Sequence, residues 1–324
     1  MRIPWWVVSL FLALVMRLLL VAQVEDYVLF RVSLIDAEEY VGWASRLAAG
    51  GGELRDVYYK APLYPWMLAV WIQGFGVDAR AIAAFNLCLG IANVLLLGAW
   101  CRRIAGRRWG TGAAFGVAVF APMLLFEIQA LPATLSLTCA TLSLVLLDRY
   151  RARPSAWLFV AAALSIGLGC LVRPTLLLWV PVAVWCLWQS NRQPTLLPHR
   201  ALLRSLLWGA CVLLVVLPVT LRNRQVGGEW VLISANGGIN FFLGNNANAA
   251  HTMRMRSGLE WEVLVSSLPP AERHGQARWD RWFRNQAFRW IADHPADFLV
   301  GLGQKSLEYL NAHRIDRNLD SRGF

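Results

Sequence analysis

Charged side chains are scarce in this chain. They make up 16% of its 324 residues, where an ordinary soluble domain carries about a quarter. With 57% of residues apolar, that scarcity argues against a soluble globular enzyme. Lysine is almost missing, since Lys60 and Lys305 are the only two among 31 basic residues. No G-x-x-x-x-G-K-[ST] sequence occurs, which argues against ATP-driven transport by this chain. Histidines are few and scattered (His199, His251, His274, His294, His313), with no pair at metal-ligand spacing, so a zinc-protease or triad reading has no support. The six cysteines (Cys88, Cys101, Cys139, Cys170, Cys186, Cys211) form no C-x-x-C pair and sit in or beside apolar runs. They read as small packing residues, neither disulfides nor a metal site. Internal repeats and low-complexity tracts are missing too, and glycine and proline follow no period, which excludes a collagen-like or disordered chain.

What is present is apolar length. A helix needs about 17–25 residues to cross a hydrocarbon core, and six uncharged runs reach that: 81–101, 109–126, 128–147, 155–172, 174–190 and 205–221. A seventh, Pro4–Ala22, carries Arg17 and reads as an uncleaved anchor, because no A-x-A site follows it. The segment 62–76, PLYPWMLAVWIQGFG, has 15 residues and two prolines, and charge decides its place. If it lies at the membrane surface, three loops on the N-terminal side carry Arg102, Arg103, Arg107 and Arg108, then Arg149, Arg151 and Arg153, then Arg192, Arg200 and Arg204. Asp148 is their only acid. The 23–80 loop on the opposite side is acidic. Were 62–76 to cross, all ten arginines would lie outside, against the positive-inside rule.

The expectation is an all-α polytopic membrane protein of about seven transmembrane helices with a cytoplasmic N-terminus. Residues 1–221 form the seven-span module, with juxtamembrane helices in the external loop 23–80. Residues 222–324 form an external segment of small α/β character. The net charge of +11 then sets topology and implies no nucleic-acid partner. Within 271–291, Trp279, Trp282, Phe283 and Trp290 recur at near-helical spacing between arginines. This fits an amphipathic helix on the bilayer or one packed inside a small domain.

Four features on the external side invite a chemical reading. In Ser33-Leu-Ile-Asp36-Ala-Glu38-Glu39-Tyr40-Val-Gly-Trp43, helical spacing from Asp36 puts Glu39/Tyr40, Trp43 and Leu47 on one face and Glu38 elsewhere. Ser33 with Asp36, or Asp36 with Glu39, has capping-box spacing, and capping is the plainer reading of the pattern. The other reading is a carboxylate that takes a proton from an acceptor nucleophile. In Tyr58-Tyr59-Lys60-Ala61-Pro62-Leu63, the lone ammonium suits a lipid-linked phosphate, or it snorkels from an interfacial helix. Arg173 is the only charge between 155 and 189, which makes it a phosphate anchor or half of a fixed salt bridge. Finally, Asn236, Gly237, Gly238, Asn240, Gly244, Asn245 and Asn246 cluster in one stretch. Gly and Asn permit left-handed backbone whose N–H groups face an anion, and Asn side chains suit a carbohydrate. The alternative is a turn series between short strands at 230–234 and 239–243.

The order of these motifs resembles the lipid-linked-sugar glycosyltransferases of GT-C fold, near glycosyltransferase family 39. That group includes the protein O-mannosyltransferases and, more distantly, the lipid A aminoarabinose transferases. The stretches that carry the resemblance are IDAEEYVGWASRLAAGG, YYKAPLYPWMLAVWIQGFG, FEIQALPATLSL, GLGCLVRPTLLLWVP, LPVTLRNRQVGGEWVLISANGGINFFLGNN and HPADFLVGLGQKSLEYLN. The resemblance implies Asp36 as catalytic base, with Glu38 or Glu39 assisting, and Lys60, joined by Arg173, at the donor phosphate. It implies sugar or acceptor contacts from Tyr59, Glu127, Asn236, Gly237, Gly238, Asn240, Asn245 and Asn246. Pro132 and Ala133 stand near where some relatives have a second aspartate. Relatives continue with further membrane helices, many with a Glu near the position of Arg314. A chain ending at Phe324 is therefore expected to be C-terminally truncated.

The function expected is inverting transfer of a sugar from a polyprenyl-phosphate carrier to a protein, lipid or polysaccharide acceptor. The setting is a bacterial inner membrane, with 222–324 periplasmic, the carrier's long chain in a groove among the spans, and membrane lipids as further partners. An inactive or partial membrane scaffold is the alternative. A transporter or flippase comes last, because Arg17 is the only clear ionisable residue within a span. No cofactor is assigned, and Asp36-x-Glu38 leaves a divalent cation open.

Overall fold

Apolar runs become helices throughout the computed structural model, which describes residues 4–24, 26, 30, 36–52, 55–190, 198–255 and 259–310. The chain divides into two units, 1–53 with 61–218 and 54–60 with 219–324.

The first unit contains α1 (Trp5–Val24), α2 (Asp36–Ala48), α3 (Leu63–Phe75), α4 (Ala79–Ala105), α5 (Arg107–Ala118), α6 (Ala121–Glu127), α7 (Ala133–Ala152), α8 (Ala156–Val172) and α9 (Trp179–Ser190). A short 3-10 turn, Pro174–Leu178, joins α8 to α9. The long α10 (Pro198–Gly227) belongs to this unit as far as Pro218. Local chemistry sets the helix ends. Asp78 caps α4 by accepting the N–H groups of Arg80 (2.9 Å) and Ala81 (3.0 Å). Arg102 and Arg103 sit in its last turn, where cations favour the helix dipole.

Every one of the seven apolar runs is helical, but not every one is a single long helix. Trp5–Val24, Ala79–Ala105 and Ala201–Gly227 are long and apolar enough to cross a membrane. The pair α5 and α6 makes a fourth, bent by 52° at its break. Pro122 stands in the first turn of α6 and lacks the N–H that would bond to the Ala118 carbonyl, so one continuous helix cannot run through the break. Ala156–Val172 and Pro174–Gln189 are shorter apolar helices. Length and composition alone thus give three or four crossing helices where the hydropathy runs predict seven. α3, at 13 residues, spans only about 20 Å, too short to cross.

Small polar groups stitch this unit together. Ser143 Oγ donates to Ala162 O (3.1 Å) and Ser165 Oγ to Cys139 O (2.8 Å) between α7 and α8, while Asn93 Nδ2 of α4 donates to Thr134 O (3.3 Å). None of the six cysteines is joined in a disulfide. A buried ion pair joins Arg17 of α1 and Glu127 of α6, 2.7 Å apart and 1% and 0% exposed. Gly90 of α4 leaves the carboxylate its room, because a Cβ there would lie 2.1 Å from Oε1.

The second unit contains the end of α10, then α11 (Gly237–Gly244), α12 (Ala249–Thr252), α13 (Leu259–Ser266), α14 (Gln276–Asp293) and α15 (Pro295–Leu310). Its core gathers Ile239, Leu268 and Phe283, with Tyr59, Phe242, Trp261, Trp279 and Trp282 packed around them. The α14 tryptophans at 279 and 282 therefore pack, partly buried, against the unit's core. The small α/β segment expected here is corrected: the described residues contain no strand, and 239–243 lies within a helix.

Candidate active site

In the first unit, α2 brings the acidic motif to its core. Asp36, Glu38 and Glu39 occupy the first turn, where carboxylates favour the positive end of the helix dipole. Ser33, the other half of the expected capping pair, lies outside the described residues. Ala37, Tyr40 and Ala44 are buried against Tyr64, Leu68 and Ile72 of α3, together with Val172 at the end of α8. Asp36 is half-buried, while Glu38 and Glu39 are exposed. Tyr40 meets Tyr64 edge-on, with ring centroids 5.3 Å apart. Beneath them Asn86 Nδ2 donates to the Tyr64 hydroxyl (3.2 Å) and to Gln129 O (2.5 Å).

The Tyr40 hydroxyl is where the charges meet. Burial raises its pKa most, the Asp36 and Glu39 carboxylates push the same way, and the Arg173 guanidinium pulls it back. Arg173 ends α8 and is exposed, its own N–H donating to Gly169 O (2.8 Å). Two motifs far apart in sequence therefore act on one phenol. Asp36, Glu39 and Arg173 are brought together, and Glu38 points away from the buried face.

In the second unit, residues 55–60 run into a set of hydrogen bonds before reaching Lys60. Asp56 Oδ2 accepts the Gln276 N–H (3.1 Å), and its carbonyl accepts Arg222 Nη1 (2.6 Å). The Arg222 guanidinium lies over the Tyr58 ring, 4.0 Å from its centroid. Tyr59 is half-buried, with its ring edge-on to Trp261 at 6.5 Å, so much of its surface serves the core. Lys60 follows, half-buried. Sequence reasoning missed Asp56, Arg222 and Asn223. The readable signal was the polar Arg222-Asn223 pair just beyond Pro218, where an apolar helix turns hydrophilic.

The asparagine-glycine stretch needs correction. Gly237 and Gly238 are helical and do not adopt left-handed backbone. Gly238 N–H donates to the Asp280 carboxylate of α14, and a Cβ at Gly238 would lie 1.9 Å from the Asp280 carbonyl oxygen. This buried glycine thus permits close helix contact, and its N–H is taken by Asp280. Asn245 and Asn246 are buried and close the C-terminal end of α11. Asn245 Nδ2 donates to Phe241 O (2.7 Å), and Asn246 Nδ2 to Phe242 O (2.7 Å) and Thr252 Oγ1 (2.9 Å). Lys305 donates to Asn245 Oδ1 (3.2 Å), and burial lowers its pKa. Of the stretch, Asn236, Gly237 and Asn240 still reach the surface. Glu127, expected at the sugar, is fully buried and paired with Arg17, so its carboxylate faces the unit's interior. The position of Arg314 lies outside the described residues.

Among the described residues no three His, Cys, Asp or Glu side chains gather as metal ligands. Comparison with curated proteins and with solved structures finds no match. A family model does match, over residues 59–221, a stretch that takes in Tyr59, Lys60, Glu127 and Arg173. By that match over half of its length, the chain belongs to the dolichyl-phosphate-mannose-protein mannosyltransferase family, whose members are membrane glycosyltransferases.

Proposed function

We propose that this protein moves a sugar from a polyprenyl-phosphate carrier to an acceptor hydroxyl, with inversion at the anomeric carbon. The observation that carries this reading is that Asp36, Glu39 and Arg173, from two elements of one unit, all act electrostatically on the buried Tyr40, in a chain of a glycosyltransferase family. Asp36 takes the proton as the acceptor oxygen bonds to the anomeric carbon. The bond from that carbon to the carrier phosphate breaks, and the phosphate leaves with the electron pair. Lys60 holds the phosphate and, with Arg173, offsets the charge that grows on it. Glu39 or Glu38, in the same helical turn, assists Asp36. Asn236, Gly237 and Asn240 are the parts of their stretch with surface left for a sugar or acceptor.

The arginine-rich loops support a seven-span arrangement with those loops cytoplasmic, which puts Asp36 and residues 222–324 on the outer face of a bacterial inner membrane. The sugar, and the protein, lipid or polysaccharide acceptor, follow from a transfer assay with a panel of polyprenyl-phosphate sugars. In that assay D36N is expected to lose about a hundredfold or more in rate with unfolding unchanged. K60A is expected to weaken donor binding by about ten- to a hundredfold, the loss of one charge-assisted contact. Full activity in D36N sinks the base assignment.

A further inference from the structure

Lys60 owes its course to a buried side chain on another element. Asn223 of α10 is fully buried. Its Oδ1 accepts the Tyr58 N–H (3.2 Å) and Arg222 Nη1 (3.3 Å), while its Nδ2 donates to Val231 O (3.1 Å) and Ile233 O (3.0 Å). One amide thus uses both ends to join three stretches of chain, one of them 165 residues away in sequence. The Tyr58 carbonyl is fixed in turn, accepting the Ala235 N–H (2.8 Å). Both backbone groups of Tyr58 are therefore held two residues before Lys60, the N–H by Asn223 and the carbonyl by Ala235, which precedes Asn236. A lysine ammonium rides on a flexible four-carbon stem, so its backbone must be fixed if it is to meet an anion in one orientation.

We infer that Asn223 is a positioning residue for Lys60. It sets affinity for a polyprenyl phosphate without touching it. This rests on the reading of Lys60 as the donor-phosphate contact, and the test keeps the two apart. The full chain in lipid nanodiscs is titrated with undecaprenyl phosphate as wild type, K60A, N223A and N223A/K60A. Hydrogen exchange of the Tyr58 amide is followed in each. N223A is expected to expose that amide and to weaken binding about tenfold, the worth of one or two buried hydrogen bonds. Turnover at saturating donor should stay within about threefold of wild type, and N223A should add less than about twofold on a K60A background.

A loss that persists in full on the K60A background, or that falls on turnover rather than affinity, marks Asn223 as a plain structural residue and overturns the proposal. So does unchanged binding in N223A with an exposed Tyr58 amide, provided that K60A itself loses binding. If K60A binds like wild type, the reading of Lys60 fails first and takes this proposal with it. Where N223A does not accumulate, N223S leaves a hydroxyl in the same space and carries the same comparison.

Discussion

The two ends of Tyr40 face different surroundings. The ring packs among Ala37, Tyr64 and Val172, while the hydroxyl feels two carboxylates and a guanidinium. Burial keeps that phenol protonated where a solvated tyrosine, with its ordinary value of 10.0, would ionise. Tyr64 is held up by burial too, with Asn86 pulling the other way. The folded state then retains protons that the unfolded chain releases. This stabilisation is complete below pH 10 and is lost as pH rises past it, by about 1.4 kcal/mol per pH unit for each such group. Y40F removes one of the two groups and keeps the ring. Its melting temperature in detergent should therefore fall less than that of wild type between about pH 9 and about pH 11. Equal falls would put the hydroxyl in solvent. The sequence placed Asp36 and Tyr40 on one helix by their spacing of four. It could not place Arg173 there, because that contact joins α8 to α2 through packing and no local spacing encodes it.

Helix α11 shows where local pattern misleads. Ile239-Asn240-Phe241-Phe242-Leu243 is rich in residues that favour strands, and flanking glycines suggest turns. Yet Ile239, Phe242 and Leu243 stand at helical spacing, and Phe242 meets Phe283 of α14 with ring centroids 5.2 Å apart. The tertiary contact selects the helix, and the glycine that looked like a ligand cradle is what lets α14 approach. Gly238→Ala puts a methyl into the Asp280 carbonyl and should cost about 1–3 kcal/mol, the range for overpacking. Gly237, one residue earlier, has Asp280 Oδ1 at 3.8 Å as the nearest atom to a Cβ, an ordinary contact. G237A should therefore melt within about 0.5 kcal/mol of wild type. Thermal unfolding of the pair checks this, and equal melting of G237A and G238A would contradict the close approach.

At the scale of the whole molecule, charge is legible in bulk and opaque in detail. Ten arginines cluster at three places between apolar runs, and the orientation expected from them rests on a sum that tolerates errors in any member. Arg17 and Glu127 are single charges, and a pair separated by 110 positions leaves no spacing to read. The clue was that each is a lone charge in or beside an apolar run, since a charge placed there needs a partner of opposite sign. Once paired, the two hold α1 against α6, next to the bend that Pro122 makes, and so fix how the unit's first helix meets its broken one. Removing one partner strands the other in an apolar interior, so R17M and E127Q should each cost about 3–5 kcal/mol, seen as lost folded yield in membranes and a lower melting temperature in detergent. Removing both leaves no charge to bury. The double variant R17M/E127M should then recover most of the loss, because a buried pair is worth little more than apolar groups of similar volume. Single variants as stable as wild type would mean the pair is idle. A double variant as damaged as either single would mean that one of these charges serves something other than its partner.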